Sequence, residues 1–314
     1  MNRSAEAVPG TDALVSTLVS ESMGALVHRV ERMSFGHASV TYRVDTDTRT
    51  VIVRTNRDPS VYAGTAANID TLRGLGLPVP TVLHADLACD RYPFAYVMTD
   101  AFPGRDLRYE LAGLTATQMT ALAGQVVGFE RTIGALPLGR GYGFVPIGAT
   151  GPHRTWAETI RADRSDAFAS RSWRGSDDPE RARLAADVRA GLDGAERRLS
   201  TVEPRCFLDD LTIKNVIVSG GELTGVVDFD VVCYGDPMYW LALTQVAVCS
   251  DVGAAGEFYA AELSRFWAPS DEERANLALY SAVHGIEFLT WDTDDAERRE
   301  RLIAAVRTWL SEAA

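Results

Sequence analysis

The sequence predicts an α+β chain in two parts: a small N-terminal antiparallel sheet with one helix, then a larger, mainly helical portion. Three observations lead there. β-Branched runs separated by turn-formers crowd residues 26–100. Beyond the Pro103-Gly104 break the apolar spacing turns helical. Within that helical part a single hairpin stretch, residues 206–230, returns to strand texture with acids and an Asn around it. The 314 residues are 46% hydrophobic and 24% charged, which supports a sizeable core in one large domain or two lobes. We place the boundary between 1–103 and 104–314.

Each element has its own warrant. In residues 11–24, Leu14 with Leu18 and Val15 with Val19 recur at helical spacing. LVHRVERM, HASVTYRVDTD and TRTVIVRTN read as three antiparallel strands, joined by the turn Ser34-Phe35-Gly36-His37 and the polar stretch 45–49. Residues 60–75 read as a helix ending at Gly76, before Pro78-Val79-Pro80. Two further strands lie in TVLHADL and YPFAYVMTD. Thr115 through Gln118 is a capping-box signature that opens a helix toward Ile133. Residues 137–154 read as a Gly- and Pro-rich loop, and 155–200 as charged helix broken near 175–179. NVIVSGG and LTGVVDFD read as short strands, and 237–314 as helices.

Charge and composition exclude several classes. A net charge of -12 argues against a nucleic-acid partner and mildly favours a cationic acceptor. Cys89, Cys206, Cys233 and Cys249 form no C-x-x-C pair, so neither a zinc site nor a disulfide framework is expected, and reduced thiols in a cytoplasm fit. The N-terminal stretch has no apolar signal core, and no apolar run reaches the roughly 18 residues of a membrane span. The 31 basic residues include a single lysine, Lys214, with no glycine-rich run before it, which rules out a Walker A loop.

The chemistry concentrates in CFLDDLTIKNVIVSGGELTGVVDFD, residues 206–230. A hairpin turning at Ser219-Gly220-Gly221 brings Asp228 beside Asn215, while Asp210 sits on the loop before the first strand. An Asn oxygen and a carboxylate converging on one point are hard ligands of the kind Mg²⁺ takes, with phosphate oxygens completing its shell. A further carboxylate, off the metal, can orient a hydroxyl and accept its proton. That is a set of parts for phosphoryl transfer. A surface Asp, a turn Asn and a strand-end Asp are also what an ordinary hairpin carries.

Together, D-x-x-x-x-N, then D-F-D, then Gly235-Asp236-Pro237 resemble the aminoglycoside phosphotransferase and choline kinase-like group, over nearly the whole chain. The resemblance implies a two-lobed protein kinase-like fold with ATP (or GTP) in the cleft. It implies Asp210 as catalytic base and Asn215 with Asp228 as magnesium ligands. It makes the turn holding Ser34, Gly36, His37 and Ser39 the phosphate-covering loop, and sets Arg54 where a lysine commonly pairs the α and β phosphates. Arg54 reads equally as a solvated strand residue. The Asp100 carbonyl and the Phe102 amide are the expected adenine contacts. Three positions depart from the family pattern: Leu208 for the usual His, Thr65 for the usual Glu and Trp240 for the usual Asp. An apolar Leu208–Trp240 contact is expected to leave no orphaned polar group. Lys214, between the base and the asparagine, reads as a cation for the transferred phosphoryl group or as a loop lysine in water.

On the acceptor side, His284, Glu287 and Trp291 share one helix face, followed by Asp292, Asp294 and Asp295. Glu287, Trp291, Asp292 and Asp230 are the candidate acceptor contacts; a Trp anchor beside a solvated helix end has the same pattern. Tyr142, Phe144 and Trp156 are candidate wall residues. The expected activity is ATP- and Mg-dependent phosphorylation of a small-molecule hydroxyl, with an aminoglycoside-like, amino alcohol or sugar-like acceptor. The alternative is a non-catalytic nucleotide-binding module, to which the changes at Thr65, Leu208 and Trp240 point.

Overall fold

The computed structural model describes residues 11–33, 39–169, 179–290 and 295–313. The Ser34–His37 turn, residues 175–178 of the expected helix break, and Trp291, Asp292 and Asp294 lie outside the described residues. The chain divides into two compact units: residues 1–103 with 229–231, and 104–228 with 232–314.

The first unit follows the order α1 (Thr11–Met23), β1 (Val27–Arg32), β2 (Val40–Thr46), β3 (Thr50–Asn56), α2 (Thr65–Gly74), β4 (Val82–Asp86) and β5 (Ala95–Asp100). Its five strands form one antiparallel sheet in the order β1-β2-β3-β5-β4. Strand period sends alternate side chains of β2 and β3 to one face, where Tyr42, Val44, Val51 and Val53 are buried against Val15, Leu18 and Val19 of α1. Burying each such side chain stabilises by about 1.5–3 kcal/mol. The intervening residues, Arg54 among them, take the opposite face. There Tyr62, Ala95 and Val97 form a smaller cluster. The helix expected from residue 60 begins only at Thr65. Asp58 accepts the Ser60 amide at 2.9 Å and, with Pro59, winds residues 59–62 into a tight 3₁₀ turn first.

The second unit contains β6 (Arg105–Asp106), α3 (Leu107–Glu110), α4 (Ala116–Gly134), β7 (Gly143–Val145), α5 (Trp156–Ala169), α6 (Pro179–Leu199), β8 (Arg205–Phe207), β9 (Val216–Ser219), β10 (Glu222–Val226), β11 (Val232–Gly235), α7 (Met238–Asp251), α8 (Ala254–Trp267), α9 (Asp271–Thr290) and α10 (Ala296–Ala313). Two small sheets, β10-β9-β6 and β7-β11-β8, carry the loops of interest. Gly104 makes the first possible: a Cβ there would lie 2.0 Å from the Val218 carbonyl oxygen. The capping box of α4 forms in full. Its Gln118 also donates to the Gly220 carbonyl at 3.3 Å, tying the helix start to the hairpin turn.

Two sequence expectations change here. The stretch 137–154 is not all loop, because β7 pairs with β11 inside it. Trp156 is no cleft wall: it is fully buried and donates from Nε1 to the Tyr280 hydroxyl at 2.9 Å. Gly235 lets the chain pass that indole, since a Cβ there would meet it at 2.3 Å.

Candidate active site

The loop from Leu208 to Asn215 is held by its own turns and by its surroundings in the second unit. Leu211 N donates to the Leu208 carbonyl at 3.3 Å, and Asn215 N to that of Thr212 at 3.0 Å. Outside groups take two further backbone positions: Arg108 N donates to the Ile213 carbonyl at 2.9 Å and the Thr244 hydroxyl to the Leu211 carbonyl at 3.1 Å. The Leu208 amide donates to both oxygens of Glu130, at 3.1 and 3.3 Å. Glu130 is fully buried, and burial pushes its carboxyl well above the usual range.

The hairpin closes the site. Val216 pairs with Val226, and Val227 N donates to the Asn215 carbonyl at 3.0 Å, so Asp228 follows directly beside Asn215. Asn215 donates from Nδ2 to the Asp210 carbonyl at 2.8 Å, which turns its Oδ1 away from that bond. Asp228 adopts φ 73°, a left-handed conformation that costs a non-glycine residue about 1–2 kcal/mol and concentrates at functional sites. The Asp210 carboxyl is pushed up to about 7, first by the protein packed around it and then by the Asp228 carboxylate; Asn215, Thr212 and Lys214 pull it down. Its side chain nevertheless remains accessible to water. That access to water trims the contribution of burial to the shift.

This donor set fits magnesium. Among the described residues, no three His, Cys, Asp or Glu side chains gather closely enough to hold a metal ion by themselves. Mg²⁺ needs no such cage: it takes one or two protein oxygens and completes its shell with water and phosphate. Asn215 Oδ1 and the exposed Asp228 carboxylate offer those oxygens, and the mutual repulsion of Asp210 and Asp228 favours a cation there.

Lys214 is directed by Asp251 of α7. Its Nζ lies 2.9 Å from Asp251 Oδ2 and 5.8 Å from the Phe288 ring centroid. Glu287, half-buried, sets Oε2 3.7 Å from Nδ1 of the fully buried His284, whose ring lies 4.3 Å from that of Tyr239. Deeper still, Asp236 accepts from the Met238 amide (3.0 Å), Asn276 Nδ2 (2.9 Å) and the Tyr280 hydroxyl (2.8 Å). Trp240 packs edge-on to Trp267 at 5.9 Å, and its buried Nε1 has no hydrogen-bond partner among the described residues. The expectation of no orphaned polar group is therefore corrected. The indole brings a donor into an apolar site, a cost of about 1–3 kcal/mol.

The first unit carries a second cluster. Arg54 of β3 donates from Nη1 to Asp230 Oδ1 at 2.9 Å and from Nη2 to Oδ2 at 2.6 Å. The Thr65 hydroxyl donates to the same Oδ1 at 2.8 Å. Asn68 Nδ2 takes the Phe229 carbonyl at 2.8 Å. The Tyr62 ring lies 5.5 Å from the Arg54 guanidinium, and its hydroxyl donates to Ser39 Oγ at 2.8 Å. Asp230, expected to face an acceptor, is thus bound to Arg54 and Thr65. At the end of β5, Asp100 accepts the Thr81 amide at 2.6 Å, and half-buried Phe102 follows two residues on.

Comparison with known proteins sets these parts in a family. The model described as "Phosphotransferase enzyme family" matches residues 29–280. The chain belongs to that family. No curated protein matches this phosphotransferase significantly. Solved structures similar to it include a thermostable mutant of aminoglycoside phosphotransferase APH(4)-Ia without ligand. That structure is 21% identical with a TM-score of 0.69, covering 95% of this chain and 99% of the other. A variant of the same enzyme in a ternary complex with AMP-PNP and hygromycin B is 22% identical with a TM-score of 0.67, covering 96% and 99%. A putative fructosamine-3-kinase from Thermobifida fusca is 20% identical with a TM-score of 0.62, covering 95% and 98%. At these identities the likeness shows the shared kinase-like fold.

Sequence reasoning missed two residues of this phosphotransferase, Glu130 and Asp251. Glu130 left a signal: it lies four residues after Val126 and three before Ile133, on the buried stripe of α4. An acid on an apolar face requires a buried partner. Asp251 at the end of α7 left none.

Proposed function

We propose that this phosphotransferase moves the γ-phosphoryl group of ATP to a hydroxyl of a small, polyhydroxylated or amine-bearing molecule, with Mg²⁺ at Asn215 and Asp228. The supporting observation is the grouping of Asp210, Asn215 and Asp228 around one hairpin, held by the Asn215–Asp210 and Val227–Asn215 bonds. Magnesium, when bound, neutralises phosphate charge and links the phosphates to the protein. Asp210 takes the proton from the acceptor hydroxyl as its oxygen bonds to the γ-phosphorus, and the β-phosphate oxygen departs with the electron pair. Lys214, fixed by Asp251, supplies positive charge beside the base. Arg54 supplies a planar guanidinium for the nucleotide phosphates. We place the adenine edge at Asp100 and Phe102, and the phosphate-covering loop at Ser34, Gly36, His37 and Ser39.

The net charge of -12 favours an acceptor that carries amines. The similar structures support that class, since one holds hygromycin B and another is described as a putative fructosamine-3-kinase. The test is product formation with MgATP across a library of aminoglycosides, amino alcohols and amino sugars, detected by mass. Wild type is expected to phosphorylate at least one member and Asp210→Asn none above background. Nucleotide binding without product from any member would contradict the transferase reading and leave a binding module.

A further inference from the structure

We propose that Asp230 is the positioning residue that aims Arg54 at the nucleotide phosphates, replacing the carboxylate that α2 lacks at Thr65. This rests on the reading of Arg54 as the phosphate cation. The contacts that carry it all lie within the first unit. Arg54 and Asp230 meet through two parallel hydrogen bonds, at 2.9 and 2.6 Å, with side chains only 17% and 14% exposed. That fork fixes the guanidinium plane as well as its position. Three neighbouring groups support the same geometry. Thr65 donates to Asp230 Oδ1, Asn68 clamps the backbone of Phe229, and the Tyr62 ring lies beside the guanidinium.

Three residue choices fit together on this account. Arginine carries five N–H donors, so a bidentate carboxylate and a phosphate are compatible on one side chain, whereas an ammonium has only three. Threonine at position 65 gives a donor to the Asp230 carboxylate; a glutamate there would set a second negative charge against it. Aspartate at 230 is tethered two residues after Asp228, so the short segment that offers the metal ligand also holds the phosphate cation. Thr65 is thereby the donor half of an exchanged pair, and the acid has moved to the D-F-D segment.

The experiment measures the affinity of MgAMP-PNP by titration calorimetry, with melting temperature, for wild type, Asp230→Asn, Thr65→Glu/Asp230→Asn and Arg54→Lys. Asp230→Asn is expected to weaken binding about tenfold with the protein still folded. The double variant restores a carboxylate next to Arg54 from the other side and is expected to recover to within a few-fold of wild type. Arg54→Lys, which cannot form the fork, is expected to fall with Asp230→Asn. If Asp230→Asn binds as wild type does, Asp230 positions nothing. If it weakens and the double variant regains nothing, the effect does not run through charge on Arg54, and the proposal falls as well. Should Asp230→Asn fail to fold, the double variant and Arg54→Lys decide: wild-type affinity in Arg54→Lys, or no binding in a folded double variant, overturns it. A wild type that binds no MgAMP-PNP overturns the nucleotide reading and this inference together, an outcome distinct from any difference among variants.

Discussion

Asp210 and Asp236 flank the same hairpin, and their surroundings differ completely. Asp236 is only 6% exposed and receives three donors, one backbone amide and two side chains. Those donors are themselves held: Tyr280 accepts from Trp156 Nε1 at 2.9 Å and Asn276 from Arg198 Nε at 2.7 Å. Asp210 remains accessible, has the Thr212 hydroxyl at 3.3 Å, and faces the charge of Asp228. Both carboxyls titrate above the usual range, and burial is the first cause in each. The pKa direction alone therefore does not separate support from chemistry. Satisfaction and access do: a buried, saturated carboxylate braces the fold, and a reachable one beside a like charge is available for protons and metals.

The comparison breaks most sharply under mutation. Asp210→Asn is expected to lower kcat by about 10²–10⁴-fold with the fold intact, as loss of a general base does. Asp236→Ala is expected to act in the opposite sense. It strands three buried donors and should cost about 2–4 kcal/mol of unfolding free energy, read from urea denaturation curves, while molecules that remain folded keep their turnover. Equal losses of stability in the two variants would erase the distinction.

A smaller effect carries a definite sign. The Asp210 carboxyl moves from 3.8 to about 7, so within that window the unfolded chain is ionised while the folded protein keeps its proton. The stability contributed by this group therefore falls as pH rises through the window and is flat above it. The melting temperature of Asp210→Asn relative to wild type should climb between those two values and then level. Added Mg²⁺ should flatten the climb by neutralising Asp228. A constant difference at every pH would contradict the raised carboxyl.

The smallest effect concerns the brace behind the loop. Glu130→Gln keeps an acceptor for the Leu208 amide and removes a carboxylate that burial disfavours, so its stability at pH 7 should be within about 1 kcal/mol of wild type. Glu130→Ala leaves that amide without its acceptor and should cost about 1–3 kcal/mol, read from the same denaturation curves.

What the sequence showed depended on the range of each interaction. The five-stranded sheet and the α4 capping box rest on periodicity and on partners a few residues apart, so Val51, Val53, Thr115 and Gln118 could be placed directly. The Asp210–Asn215–Asp228 group was legible because a short hairpin joins its members. β8 and β11 were not, since strands of three and four residues carry too little alternation to stand out. The Arg54–Asp230 fork was illegible for a stronger reason. Its partners are 176 residues apart, and Thr65 looked like the loss of an acid when it is a donor to one. Trp156 was misjudged because an aromatic at the edge of a glycine-rich stretch looks exposed until its partner, Tyr280, is known.

The most direct test of the central claim is the dependence of ADP affinity on Mg²⁺, measured by calorimetry in wild type and in Asp228→Asn with and without chelator. With the metal held by Asn215 and Asp228, wild type should bind ADP at least tenfold more tightly in Mg²⁺ than in chelator, and Asp228→Asn should lose most of that gain. Affinity in wild type that is indifferent to Mg²⁺, or a gain that survives intact in Asp228→Asn, would contradict the assignment of this hairpin as the metal and phosphoryl-transfer site.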